Sequence, residues 1–312
     1  MISIVIPAYN SAGTIAATLA SVRSQTFHDY EVLITDDGSN DGTLEVCRQY
    51  ANEHPEMRIS VVSIPHSGVA AARNHGLERA SGEFVSFLDS DDRWMPEKLE
   101  QVAALIARDS QADLIYHDAM MKAHDGRCWR HISGPPPSDP YRHLLLENNF
   151  LATTTVTVRR SCLAASGNFD CNPDFEICED YELWLRLARA GAKFAYIPAI
   201  LAEIARSRGS LSSNITRHAR NHLNVRGHCL AQARDDGILT QKEFKRHINR
   251  VAARCQALIA IDQVRKRNMD ATARAAAAAG GACFRMMLGG DWQAIGKLAV
   301  AARRRIIAKS PE

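Results

Sequence analysis

Phe84-Val-Ser-Phe-Leu-Asp-Ser-Asp-Asp-Arg-Trp-Met-Pro96 decides how this chain is read. Phe84 to Leu88 has the composition of a buried strand, and it runs straight into Asp89, Asp91 and Asp92. Three carboxylates within four residues repel one another, so a fold that keeps them together supplies a cation. Hard oxygen ligands suit Mg2+ or Mn2+, with phosphate oxygens completing the shell. Trp94 and Met95 return to apolar contacts, and Pro96 suits the first turn of a helix. The competing reading is a solvated turn that caps that helix.

The segments upstream favour the first reading. Ser3 to Ile6 is a short β-branched run that ends at Pro7 and is followed by Ala8, Tyr9 and Asn10. Glu31 to Thr35 predicts a second strand ending in Asp36-Asp37-Gly38, and Ile59 to Ile64 a third ending at Pro65-His66-Ser67-Gly68. Helical spacing follows each: Ile15, Leu19 and Val22; Leu44, Cys47 and Tyr50; Val69, Ala72, Gly76 and Ala80. Leu99, Val102 and Ile106 continue the pattern after the acidic stretch, and Leu114 to Tyr116 reads as a fifth strand. Such alternation predicts an α/β fold with a mostly parallel sheet and right-handed crossovers. Ligands bind such sheets at the carboxyl ends of the strands. Four successive strand ends here deliver polar or acidic groups to one edge, and that edge is the expected site.

Two acidic clusters at one edge need different work, because bare carboxylates repel a phosphorylated ligand. One can accept hydrogen bonds from a nucleobase or ribose. The other can hold a divalent ion. Arg73 lies near the start of its helix, where amides and a guanidinium can meet phosphate oxygens; a surface salt bridge is the alternative.

These residues resemble the family 2 glycosyltransferases with the GT-A fold. The resemblance rests on Val5-Ile-Pro-Ala-Tyr-Asn10, Gln25-Thr-Phe27, Asp36-Asp-Gly-Ser-Asn-Asp-Gly-Thr43, Gly68-Val-Ala-Ala-Ala-Arg-Asn-His-Gly76 and Phe87-Leu-Asp-Ser-Asp-Asp92, in order and in register. It implies a nucleotide-sugar donor, most simply a UDP-sugar. Asp37 would contact the base, framed by Pro7, Ala8, Tyr9 and Asn10, with Ser67, Gly68, Arg73, Asp89 and Ser90 also lining the donor. Asp91 with Asp89 would hold Mn2+ or Mg2+ on the diphosphate.

Farther along, Tyr181, Trp184, Leu185 and Ala188 have helical spacing, and Glu179-Asp180 open that helix. Acids there favour the helix dipole in any case. In the family a Glu-Asp pair at this place supplies the catalytic base, which the resemblance puts at Asp180, with Glu179 as its substitute. An acceptor hydroxyl must lose its proton as it attacks the anomeric carbon, and a base facing the leaving group across the sugar gives inversion. Trp184 reads as core rather than a sugar platform. Gly134-Pro-Pro-Pro-Ser-Asp-Pro140 is a loop, and Leu151 to Val158, rich in β-branched residues, predicts a strand. Phe194 to Ile197 predicts another. Ile204, Ala205 and Ser207 replace the aromatic, arginine and histidine that the family carries before Gly-Ser-x-Ser, so what closes over the diphosphate is open, with Arg206 and Arg208 as candidates.

The totals bound the remainder. The 312 residues carry a net charge of +3, but unevenly: residues 1–205 hold 17 Lys and Arg against 28 Asp and Glu, and residues 206–312 hold 21 against 7. The expected division is 1–115 for the nucleotide-sugar half, 116–213 for the acceptor and base half of the same domain, and 214–312 for a basic helical region. Trp292 to Ile307 spaces apolar and basic residues as an amphipathic helix does. Peripheral contact with anionic lipid and packing on the catalytic domain are both open for it, and an oligomer is a further option. Nucleic acid is not an expected partner, since no aromatic residues interleave the basic ones. No uncharged apolar run is long enough to span a bilayer, and no leader precedes the first strand, so the expected location is cytoplasmic, with association at the inner face of the cell membrane left open. Eight cysteines without a CxxC pair read as reduced thiols. His218 and His222, one helical turn apart, read as a solvated face. The activity these features favour is inverting, metal-dependent transfer of a sugar to a hydroxyl of a glycan or lipid-linked acceptor in surface polysaccharide synthesis. A nucleotidyltransferase is the alternative, although the loop after the first strand lacks the Lys or Arg that chemistry prefers. A non-catalytic nucleotide-sugar or lipid-surface binding protein is the third.

Overall fold

The structure is a computed structural model that describes residues 1–206 and 215–267, with side chains as far as residue 263. The first half alternates as its apolar spacing requires: β1 (Ile2–Ala8), α1 (Ile15–Arg23), β2 (Tyr30–Asp36), α2 (Thr43–Glu53), β3 (Ile59–Ser63), α3 (Val69–Arg79) and β4 (Phe84–Phe87). The short β5 (Arg93–Trp94), α4 (Lys98–Arg108), β6 (Leu114–Ala123), β7 (Cys128–His131) and α5 (Pro140–Leu146) follow. Then come a 3-10 turn (Thr153–Thr155), β8 (Thr157–Arg159), α6 (Arg160–Ala165), α7 (Glu179–Arg189) and β9 (Phe194–Arg206). Two long helices, α8 (Ile215–Asp235) and α9 (Gln241–Arg267), close the described part.

One sheet carries both halves, in the order β3-β2-β1-β4-β8-β6-β9-β5. β1, β2, β3 and β4 are parallel, and β8 runs against both β4 and β6. Period-2 alternation divides the core. Ile4 and Ile6 of β1 face Ile15, Leu19 and Val22 of α1, whereas Val5 faces the layer that holds Leu77 of α3 and Trp184 of α7. Trp184 is fully buried there, as its spacing predicts. Helix α3 lies close to β1 because position 76 has no side chain: a Cβ on Gly76 would stand 2.7 Å from Val5 Cγ1. Gly82 is tighter, since its Cβ would meet the backbone nitrogen of Ser3 at 2.6 Å. Backbone cannot move aside as a side-chain tip can, so Gly82→Ala is expected to cost about 1–3 kcal/mol of stability, seen as a lower urea midpoint at unchanged slope.

The structure differs from the sequence expectation in three respects. The run from Leu151 to Val158 is not one strand: Thr153–Thr155 form the 3-10 turn and only Thr157–Arg159 pair in the sheet. Threonine hydroxyls there take partners outside the ladder, and local polar bonding competes with strand pairing. β6 runs on to Ala123 and β9 to Arg206, paired in parallel throughout. Pro198 cannot donate to that ladder, and the register accordingly slips between His117/Ile197 and Asp118/Ile200. His218 and His222 are not a solvated face either. The His222 ring stacks on Tyr181 of α7 at 5.4 Å and 6°, and His218 stacks on His222. Burial pushes both imidazoles below the ordinary histidine range.

Among the described residues the cysteines are free thiols, and no helix is long and apolar enough to cross a membrane. The 207–214 segment with Arg208 and Gly209-Ser-Leu-Ser212, and the amphipathic stretch Trp292 to Ile307, lie outside the described residues.

Candidate active site

The carboxyl ends of β1, β2, β3 and β4 meet on one edge. Beyond β2, Asp37 is only 3% exposed. Its two carboxylate oxygens accept the backbone amides of Ser67 (2.7 Å) and Gly68 (2.9 Å), and His66 Nδ1 lies 2.8 Å from Oδ2. Asp37 therefore fastens the β3–α3 loop to the end of β2. Asp37 N donates in turn to Ala8 O at the end of β1 (2.8 Å). Tyr9 is 45% exposed and stacks on His66 with ring centroids 4.3 Å apart. Asn10, at φ 49°, accepts the amide of Asn40 through Oδ1 and donates its own to Ser39 Oγ. The Pro7–Asn10 and Asp36–Asp41 segments are thus one bonded unit, with an aromatic face open to solvent.

The acids after β4 are each held differently. Ser90 Oγ shares a hydrogen bond with Ser11 Oγ (2.7 Å). Asp92 is buried: its Oδ1 accepts the amide of Ala205 in β9 (2.8 Å), its Oδ2 accepts the Thr154 hydroxyl, and its carbonyl accepts Thr18 Oγ1 (2.8 Å). Burial and the charges of Asp89 and Asp91 push this carboxyl well up. Asp91 is pushed up to about 6 by burial and by the charge of Asp89.

Arg73 joins this cluster to the helix that carries the Glu-Asp pair. Its guanidinium, 4% exposed, donates to Asp89 Oδ1 (2.8 Å) and to Glu179 Oε1 (2.6 Å) and lies over the Phe169 ring at 5.3 Å. It forms a salt bridge, but a buried one. Burial opposes its charge, and Asp89 and Glu179 more than offset that. Glu179 is pushed up to about 7 by burial; Arg73 opposes the rise and Asp180 adds to it. Asp180, one residue on and partly exposed, accepts the Thr153 hydroxyl at Oδ2 (2.5 Å) and the Tyr181 amide at Oδ1 (2.6 Å). Ile177, just before these acids, sits at φ 70°, a conformation costly for a β-branched residue and concentrated at functional sites. The edge thus brings the acids after β4 together with a partly exposed carboxylate on a separate helix, the two elements tied through one arginine.

The glycosyl transferase family 2 profile matches residues 3–165. The chain belongs to this family. Among curated relatives, TuaG of Bacillus subtilis, provisionally named a teichuronic acid biosynthesis glycosyltransferase, is 34% identical over 221 residues, covering 70% of this chain and 84% of that protein. WfgD of Escherichia coli, named a UDP-Glc:alpha-D-GlcNAc-diphosphoundecaprenol beta-1,3-glucosyltransferase, is 30% identical over 232 residues, covering 73% and 85%. Among solved structures, the mannosyltransferase PcManGT of Pyrobaculum calidifontis, in complex with GDP-Man and Mn2+, superposes with a TM-score of 0.60 at 20% identity over 99% of this chain and 88% of that one. The fold is GT-A and the chain is a glycosyltransferase, which sets aside the nucleotidyltransferase and non-catalytic readings.

Sequence reasoning missed Thr153, Thr154 and the anchoring of Asp92. A run of three threonines is compatible with a strand, so no local signal marked them as partners of acids far along the chain. Among the described residues no three His, Cys, Asp or Glu side chains converge as a self-sufficient metal site. The hard oxygen donors of Asp89 and Asp91 are nonetheless of the type a divalent ion takes, and a diphosphate would have to supply its remaining ligands. Burial and the charge of Asp89 both disfavour the ionised form of Asp91, and Arg73 pairs with Asp89 through one carboxylate oxygen.

Proposed function

We propose that this family 2 glycosyltransferase moves a sugar, with inversion, from a UDP-sugar to a hydroxyl of a lipid-linked glycan in bacterial surface polysaccharide synthesis. The relatives named for teichuronic acid and for a diphosphoundecaprenol-linked acceptor support that substrate class. The observation that carries the mechanism is the Asp89–Arg73–Glu179 chain, which ties the donor-side acids to the first turn of α7, where Asp180 reaches solvent.

In this reading Tyr9 and the Asp37 unit hold the base. Asp91 and Asp89 would hold Mn2+ or Mg2+, which would supply neutralisation of the charge on the departing diphosphate. Asp180 accepts the proton of the acceptor hydroxyl. The acceptor oxygen then bonds to the anomeric carbon as the carbon–phosphate-oxygen bond breaks on the opposite face, its electron pair leaving with the nucleoside diphosphate. Attack and departure on opposite faces invert the anomeric centre. The chain works at the cytoplasmic face of the membrane, where such acceptors are presented.

A donor screen tests this. Purified protein is incubated with a panel of UDP-, GDP- and TDP-sugars and Mn2+ or Mg2+, and nucleoside diphosphate release is followed. Metal-dependent release from one UDP-sugar, lost in Asp91→Ala, is the expected result. Release from a GDP-sugar alone would overturn the donor assignment, and release indifferent to chelation would overturn the metal.

A further inference from the structure

Thr153 makes a contact whose chemistry the proton transfer to Asp180 does not itself require. Its hydroxyl donates to Asp180 Oδ2 at 2.5 Å, from 27 residues away in sequence. The turn presenting it is held by bonds that do not involve Asp180. Thr155 N donates to Ala152 O (2.8 Å) and Val156 N to Thr153 O (3.0 Å). Thr155 Oγ1 donates to Ala152 O (2.7 Å). Trp94 Nε1 donates to Thr154 O (2.9 Å), and the Thr154 hydroxyl donates to Asp92. Thr153 is itself 7% exposed. A hydroxyl on so fixed a backbone is a pre-set donor, and pre-set supporting bonds are what keep a reacting group within the narrow geometry catalysis needs.

The consequence for Asp180 is directional. Oδ1 takes the Tyr181 amide and Oδ2 takes Thr153, so the carboxylate plane is fixed at both ends. Each oxygen keeps a second lone pair to receive a proton. Without Thr153, among the described residues only the adjacent amide hydrogen-bonds the side chain, and rotation about χ2 is broad for a carboxylate. We infer that Thr153 is a positioning residue for the Asp180 base, and that the threonine turn, through Thr154 and Asp92, holds that base in register with the donor-side acids. This rests on Asp180 being the base.

The test uses the full chain, the active UDP-sugar and metal from the panel, and four variants: Thr153→Val, Thr153→Ser, Asp180→Asn and the Val/Asn double. Thr153→Val keeps the shape and removes the donor. It is expected to lower kcat by about 10- to 100-fold with donor KM unchanged, and Thr153→Ser is expected to restore kcat. In the Asp180→Asn background the valine should cost nothing more, because its effect runs through the carboxylate. A crystal structure of Thr153→Val should show the Asp180 carboxylate turned from its wild-type plane. An inactive Asp180→Asn beside a fully active Thr153→Val with Asp180 in place would overturn the inference and leave the base standing. A fully active Asp180→Asn would instead remove the base assignment itself. If Thr153→Val does not fold, Thr153→Ala takes its place, and failure of Thr153→Ser to restore kcat over Thr153→Ala would overturn the inference equally.

Discussion

Asp180→Asn is expected to lower kcat by about 10²- to 10⁴-fold, the range a positioned general base contributes, with little change in donor KM. The substitution is close to isosteric. An asparagine carbonyl still accepts the Tyr181 amide that now sits 2.6 Å from Oδ1, and its amide group can donate to Thr153 Oγ1, which accepts as readily as it donates. Geometry is kept and basicity is lost. Such a loss confined to kcat is the signature of an interaction made in the transition state alone. Steady-state release of nucleoside diphosphate measures it, and a circular dichroism melt matching wild type shows that the fold is intact. An unchanged kcat would move the base elsewhere. Glu179 is the poor alternative. It is buried, and its Oε1 is held by Arg73 at 2.6 Å. Glu179→Gln should therefore act on stability and on the Arg73 bridge, not on proton transfer.

The parts of this site that the sequence discloses are those whose chemistry is local. Asp36-Asp37 and Asp89 to Asp92 stand at strand ends because an apolar run precedes each, and the parallel pairing of β2 and β4 with β1 brings those ends together. What escapes is the pairing of distant residues. Nothing near Thr153 announces Asp180, and nothing near Arg73 announces Glu179, 106 residues away. The threonine run illustrates the physics: β-branched residues suit a strand, yet a hydroxyl beside a buried carboxylate has a better partner than a ladder, and tertiary bonding overrides propensity. His218 and His222 illustrate the converse. Their spacing on α8 is readable, but the Tyr181 ring that turns a polar face into a packed one belongs to another helix.

Arg73→Met is expected to destabilise the fold more than Gly82→Ala does, by about 3–5 kcal/mol near pH 8, because it leaves one member of a buried pair uncompensated. Asp89, the more exposed partner, can turn to water, whereas Glu179 cannot: its side chain is 5% exposed and its Oε2 has no hydrogen-bond partner among the described residues. The pH dependence follows from the carboxyl's position. In the wild type Glu179 is pushed up to about 7 by burial, above the ordinary range near 4.3 for an unfolded glutamate. Between those values the folded chain binds a proton that the unfolded chain has released, so stability falls as pH rises through that window. Removing Arg73 removes the influence that opposes the rise, so the window widens upward. The deficit of Arg73→Met against wild type should consequently be small at pH 5, where Glu179 is neutral in both, and grow through pH 8. Urea titrations at the two pH values measure it, and Arg73→Met with Glu179→Gln should recover the pH-dependent part. An equal deficit at both pH values would mean that the guanidinium stabilises the fold through its packing on Phe169, 5.3 Å away, and through the Asp89 bond, with the charge of Glu179 contributing nothing.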